Sequence, residues 1–191
     1  MPQPTVTINY LTSYWRTVPA HDPDNLLDSH GGPSYFDLQL SGYVTGALWL
    51  DAWCLNPNIN IDGNLSTYTA TVYSSYELNL LPSGIVVNPA NLGRVNWVIN
   101  QTNDPLFNSQ FNYGEIQSAI WNLMGYPIYV NGVDITADGT VLKTDVEALV
   151  ALASSHGSFV PENYQYIGVI LDPVAADGVT HLQPIITLVH P

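Results

Sequence analysis

Three things are scarce in this sequence. It has one cysteine in 191 residues, three basic residues against 16 acidic ones, and no long apolar run. Each shortage excludes something. A lone cysteine has no partner for an internal disulfide, so Cys54 is not a staple. A membrane span needs roughly 20 apolar residues in a row, so no membrane insertion is expected. Nucleic acids and anionic membranes are bound by clustered lysine and arginine. Neither is an expected partner of a chain whose only basic residues are Arg16, Arg94 and Lys143. The acids are not in excess, since charged residues make up 10% of the chain against about 25% in an ordinary domain. It is the bases that are missing, and the net charge is −13 as a result. The N-terminus "MPQPTVTINY" lacks the basic-then-apolar pattern of a secretory signal, which by itself does not place the protein in the cytosol.

What is present fits a packed, turn-rich β protein. The chain is 46% hydrophobic, with 12 tyrosines, five tryptophans, 14 glycines and 14 prolines. Its length suits one domain, so residues 1–191 are read as a single unit. Residues 1–34 form an extension of that unit with no assignable role. Strand-like runs occur at Thr5–Tyr10, Tyr35–Leu40, Ala47–Leu55, Tyr68–Tyr73, Tyr166–Leu171 and Pro184–Val189, each bounded by Gly, Pro, Asn or Asp. Three segments read as helices. "NPANLGRVNWVIN" has Asn88 as N-cap and Pro89 at the first position. "NYGEIQSAIWNLMG" has Asn112 as cap and Gly125 as terminator. "TDVEALVALASSHG" opens on a Thr144–Glu147 capping box and closes at Gly157. Strands flanking a helical block predict an α+β fold: a β-sandwich or barrel with a helical subdomain inserted or packed on one side.

In "ALWLDAWCLN" the residues Leu48, Leu50, Ala52 and Cys54 share one strand face, because side chains alternate. Trp49, Asp51 and Trp53 share the other. The thiol therefore points inward with small and aliphatic residues, where a free cysteine is ordinarily just a small hydrophobe. A cysteine-hydrolase reading needs a histidine, with His156 and His181 as candidates, but no local protease signature surrounds Cys54.

The helix "YGEIQSAIWNLM" adds a second unusual residue. Ile116, Ile120 and Leu123 make a core stripe. Gln117 borders it, with Tyr113 and Trp121 one turn away on either side. A glutamine there is costly unless its amide is satisfied. Either it bonds to backbone, or its side-chain carbonyl has been consumed chemically.

"AWCLN" followed by "IQSAIW" resembles the paired signature of bacterial thioester domains, the adhesive tips of surface proteins. Trp53–Cys54 and Gln117-Ser118-Ala119-Ile120-Trp121 carry the likeness. "RVNWVINQ" resembles the helix that precedes the Gln motif, and "LQPIITLV" the closing strand. The resemblance spans about Tyr35 to Val189; "HDPDNLLDSHGG" matches nothing in it. It implies an internal thioester between Cys54 and Gln117, shielded by Trp53, Tyr113 and Trp121. It implies an extracellular, surface-attached protein that acylates an amine on a partner, most simply a lysine of a surface protein or a small amine. Glycan hydroxyls are a second target class, with His156 or His181 as the activating base. No cofactor or metal is expected, and the event is a single turnover rather than catalysis.

The scarcity of lysine then has a chemical reading: a surface acylator rich in lysine would modify itself. Lys143 is expected to lie away from the thioester. The aspartates and histidines of "HDPDNLLDSHGG" are read as a solvated loop in preference to a calcium or transition-metal site, and "NGVDITADGT" as a turn pair. Two other classes stand beside covalent adhesion. One is a noncovalent sugar- or protein-binding β module, the other a cysteine hydrolase. Only the first makes a protein lighter than its sequence by one ammonia.

Overall fold

The computed structural model describes residues 3–13, 36–41, 48–59, 61, 67–126, 141–162 and 165–189. "HDPDNLLDSHGG" and "NGVDITADGT" lie outside the described residues. Six strands appear: β1 (Thr5–Ser13), β2 (Phe36–Ser41), β3 (Leu48–Cys54), β4 (Tyr68–Ser74), β5 (Ile167–Val174) and β6 (Ile185–Val189). All pairings are antiparallel, and they close into a barrel in the order β1-β2-β3-β6-β5-β4. Among the described residues, four helices are inserted between β4 and β5: α1 (Leu92–Gln101), α2 (Pro105–Asn108), α3 (Tyr113–Leu123) and α4 (Lys143–Ser154). The expectation of a sandwich or barrel thus resolves to a closed barrel carrying a helical insertion.

Closure follows from the strand patterns. Facing residues of an antiparallel pair share a face. Val6, Ile8, Leu38, Leu40, Leu50, Ala52, Cys54, Ala70, Leu171 and Ile185 fall on one face of the six strands, and all are buried. They fill the barrel. The opposite face is solvated in most such sheets, but here part of it is buried too. Trp53 faces Ile186, Ile186 faces Ile170, and Ile170 faces Tyr73; all four are buried. The helical block covers this stripe, with α3 on β3 and α1 on β5 and β6. Trp53, on the outward face of its strand, is therefore only 2% exposed.

Several element ends differ from the sequence reading, each for a local reason. β5 runs past Asp172–Pro173 to Val174. The Pro173 carbonyl accepts from the Leu182 N–H, so its nitrogen faces away from β4 and the missing donor breaks no rung with β4. Asn88 makes no capping bond. Pro89 opens a short 3-10 turn, and α1 begins at Leu92. The α2 turn was not anticipated, although its Asp104 cap and Pro105 at the first position are visible in "NDPLFN". The Thr144–Glu147 capping box does not form. The helix starts one residue earlier, the Thr144 hydroxyl bonds to Asp145, and the Leu142 N–H goes to Glu115 Oε1 at 3.1 Å.

α3 is the central helix, packed on α1, α4 and β3. Every residue from Tyr113 to Ile120 is buried. This is more than the single stripe expected, because a helix covered on several sides is apolar nearly all round. Its N-terminus carries the capping box expected at Asn112: Asn112 Oδ1 accepts from the Glu115 N–H, and Glu115 Oε2 accepts from the Asn112 N–H. The other Glu115 oxygen takes the Leu142 N–H, so one carboxylate joins the starts of α3 and α4.

Close approach of α1 to the end of α4 depends on a glycine. A Cβ at Gly93 would collide with the Gly157 carbonyl oxygen. Gly93→Ala is expected to lower stability by about 1–3 kcal/mol, the usual cost of overpacking. Denaturant unfolding checks this; an unchanged midpoint would mean that the two segments are not in contact.

Candidate functional site

Cys54 is the last residue of β3, and it faces Ile185, the first residue of β6. The thiol therefore sits at one end of the barrel, on its inner face. In an antiparallel ladder the N–H and C=O of one residue point to the same side, and the side alternates along the strand. The Leu55 N–H donates to the Pro184 carbonyl at 3.0 Å, toward β6. The Cys54 N–H and C=O consequently point the other way, toward β2. Among the described residues, the pairing of β2 with β3 extends no further than Phe36 and Ala52.

Gln117 occupies that vacant place. Its Oε1 accepts from the Cys54 N–H at 2.8 Å, and its Nε2 donates to the Cys54 carbonyl at 2.8 Å. A side-chain carboxamide has the same donor and acceptor as a peptide unit. Gln117 thus adds one more rung to the sheet from a helix 63 residues away in sequence. It is 1% exposed. The sequence left two fates open for this amide, backbone pairing or chemistry. The structure pairs it with backbone, and the backbone is that of the residue carrying the only thiol.

Three residues were expected to shield the pair. Trp53 and Tyr113 are buried, and Trp121 is partly buried. The Trp121 and Gln183 side chains and the Asn56 peptide lie close enough to the Cys54 thiol to oppose the rise in its pKa. Gln183 and Asn56 were not singled out in the sequence. Gln183 lies in the "LQPIITLV" stretch, but no periodicity reveals that its Nε2 donates to the Asn56 carbonyl, at 3.2 Å. Tyr126, which is buried, lies near enough to feel charge on Cys54.

Burial dominates the electrostatics. Cys54 is 0% exposed, and desolvation pushes its pKa from 9.0 up to about 12, against the smaller opposing effects of Trp121, Asn56 and Gln183. A thiolate nucleophile of the cysteine-hydrolase kind needs a shift in the other direction. The candidate bases are also engaged elsewhere. His156 stacks on Trp97, with ring centroids 4.2 Å apart, and His181 Nδ1 lies 2.9 Å from both carboxylate oxygens of Asp172. Neither has a described hydrogen bond to Cys54 or Gln117. Lys143 is exposed, with its Nζ 3.5 Å from Glu147 Oε1.

The architecture can be compared with known proteins once this geometry is set out. No protein-family model matches the sequence, and no curated protein matches it either. Among solved structures, the N-terminal thioester domain of a surface protein from Clostridium perfringens is similar, with a TM-score of 0.55. The match covers 96% of this chain and 99% of that one, at 12% identity. The chain has the fold of a thioester domain. At this identity the likeness is one of fold alone, and it extends from end to end.

Two outcomes follow from the geometry. In a Cys54→Ala background, where no covalent bond can form, the backbone at position 54 still needs its partner. Adding Gln117→Leu should then cost about 2–5 kcal/mol, because two buried backbone groups are left unsatisfied. A loss below about 0.5 kcal/mol in denaturant unfolding would mean that the rung is not formed, since a lost buried hydrogen bond costs more. The second concerns pH. In Gln117→Ala the thiol is free. Its folded pKa lies above the unfolded value, so the unfolded state loses its proton first as pH rises. Stability should fall between about pH 9 and about pH 12, relative to the Cys54→Ala/Gln117→Ala double variant. Parallel curves for the two proteins over that range would contradict a buried thiol.

Proposed function

We propose that this protein is a surface-adhesion domain in which Cys54 and Gln117 condense to an internal thioester that then acylates a partner's amine. The observation that carries this reading is the two-bond clamp between the Gln117 carboxamide and the Cys54 backbone. An amide is a poor electrophile, so its reaction with a thiol depends on the two being held together. A strand end and a packed helix provide that constraint better than loops would.

The chemistry balances without any external reagent. The Cys54 sulfur bonds to the Gln117 side-chain carbonyl carbon, the C–N bond to Nε2 breaks, and ammonia leaves with the thiol proton. Thiol, amide, thioester and ammonia are all uncharged. Burial that raises the thiol pKa does not penalise this exchange, whereas it would penalise any route through a persistent thiolate. The Cys54 N–H already points at Oε1, where negative charge develops in the tetrahedral intermediate, so it acts as an oxyanion donor. The Cys54 carbonyl holds Nε2 and, in the second step, can accept from an incoming amine. That amine attacks the same carbon, the C–S bond breaks, and an amide links the partner to residue 117. The reaction occurs once per molecule.

Amines are the favoured target. They attack thioesters far more readily than hydroxyls do, and neither histidine that could activate a hydroxyl is bonded to the pair. With a net charge of −13, the protein attracts basic, lysine-rich surfaces, an effect that salt weakens. An extracellular, surface-attached setting fits this chemistry and the surface protein whose domain shares the fold. The alternative, a noncovalent glycan module, has a cleft beside Asp51, Trp53, Thr102, Asn103 and Tyr166 to draw on. Trp53 at 2% exposure offers no ring face for stacking a sugar.

The test is incubation of freshly purified protein with methylamine, with polyols and with a lysine-rich protein, followed by peptide mapping. Methylamide or lysine adducts at residue 117, absent from Cys54→Ala, are expected. Adducts with polyols but not with amines would overturn the target assignment. An untouched Gln117 and a free Cys54 in every sample would overturn the thioester.

A further inference from the structure

We propose that His181 is a positioning residue for the thioester: its double contact with the buried Asp172 latches the β5–β6 hairpin in the register that straps Leu55 and Asn56, the two residues after Cys54. The chemistry it serves rests on the thioester reading above. The latch itself rests on the hairpin geometry.

The strand register shows what has to be held. Leu171 faces Ile185, which in turn faces Cys54. An unbroken β5–β6 ladder would then set His181 opposite Ala175. His181 instead pairs with Val174. Two bonds flank that pair: the Leu182 N–H donates to the Pro173 carbonyl at 2.8 Å, and the Ala175 N–H to the Thr180 carbonyl at 2.9 Å. The register has slipped by one, and the extra residue lies within 182–184, on the β6 side. That stretch also bonds to the end of β3. The Pro184 carbonyl accepts from the Leu55 N–H at 3.0 Å, and Gln183 Nε2 donates to the Asn56 carbonyl at 3.2 Å. It straps down the chain that leaves Cys54, and Cys54, Leu55 and Asn56 are all buried.

A one-residue slip turns a side chain to the other face of the ladder. Here it brings His181 onto the face of Asp172, and its Nδ1 lies 2.9 Å from both carboxylate oxygens. The Asp172 side chain is 2% exposed, that of His181 55%. A buried carboxylate is costly without a partner, and His181 supplies one. In the unbroken register His181 would point to the opposite face, and Asp172 would lose that bond. The pair therefore holds the slipped register. Without it the hairpin slides or lifts, and the strap over Leu55 and Asn56 goes with it.

The thioester carbonyl at residue 117 is buried beside Cys54, so a nucleophile reaches it only when the site opens locally. Hydroxylamine reads that opening. Its nitrogen bonds to the carbonyl carbon, the C–S bond breaks, and the sulfur leaves with a proton as thiol. The experiment follows this reaction by intact mass in wild type, His181→Leu, His181→Asn and Gly93→Ala. His181→Leu is expected to open about 10- to 100-fold faster, the worth of a hydrogen bond to a charged group. The Asn Nδ2 is attached at the same place as the His Nδ1, so His181→Asn keeps the donor and should restore a rate near that of wild type. Gly93→Ala loosens the helical block instead, and should also stay near wild type. If His181→Leu does not fold, His181→Leu/Asp172→Asn takes its place, since it removes the buried charge along with the latch. A wild-type rate in the Leu variant overturns the latch. So does an Asn variant as fast as Leu, or a Gly93→Ala as fast, because the rate would then follow overall stability. A wild type at full mass, with Gln117 intact and Cys54 free, overturns the thioester reading alone. Maleimide labelling of Cys54 in the same proteins then judges the latch: the same order of rates supports it, and equal rates overturn it.

Discussion

A side-chain amide serving as a rung of a β-sheet is the constraint on which the rest of this structure depends. Among the described residues, the pairing of β3 with β2 stops at Ala52, and no strand residue bonds the Cys54 N–H and C=O. Buried backbone groups of that kind must be satisfied, and Gln117 satisfies both at 2.8 Å. The rung fixes the rotation and depth of α3 over the barrel. Glu115, two residues earlier, caps that helix and holds the Leu142 N–H, which positions the start of α4. Gly93 then lets α1 meet the segment that follows α4. The rung thus joins helical insertion and barrel at the residue that carries the thiol.

The same arrangement decides the chemistry by what it excludes. Charge on the thiol is disfavoured by burial, which takes the Cys54 pKa up to about 12. A nucleophilic thiolate enzyme would need the opposite environment. A buried thiol on the residue whose backbone pairs with a buried neutral amide suits a condensation between uncharged partners. The scarcity of lysine and arginine agrees with this and adds a field that favours basic partners.

Much of this was legible in the sequence. The six strand runs and three main helices were set by local signals: alternation, caps and flanking turn residues. The Asn112–Glu115 capping box, Gly125 at positive φ and the burial of Ile116 and Ile120 are where those signals placed them. The approach of Gln117 to Cys54 was legible only through the paired motif. What could not be read came from long-range packing. Thr144 and Glu147 spell a capping box, yet Glu115 captures the neighbouring Leu142 N–H and α4 starts at Lys143 instead. Trp53 read as an outward residue, because alternation cannot foresee a helical block over the outer face of the barrel. Gln183 was invisible because its partner, the Asn56 carbonyl, is brought to it by strand register from 127 residues away in sequence.

The most direct test is the intact mass of untreated wild-type protein, measured beside Cys54→Ala and followed by mapping of the peptide that contains residue 117. The account predicts a wild type lighter than its sequence by one ammonia, with Cys54 and residue 117 crosslinked, while Cys54→Ala has its full mass. A thioester lost to water would still leave glutamate at position 117 in wild type. Full mass with an intact glutamine at 117 and a free thiol at 54 would contradict the account.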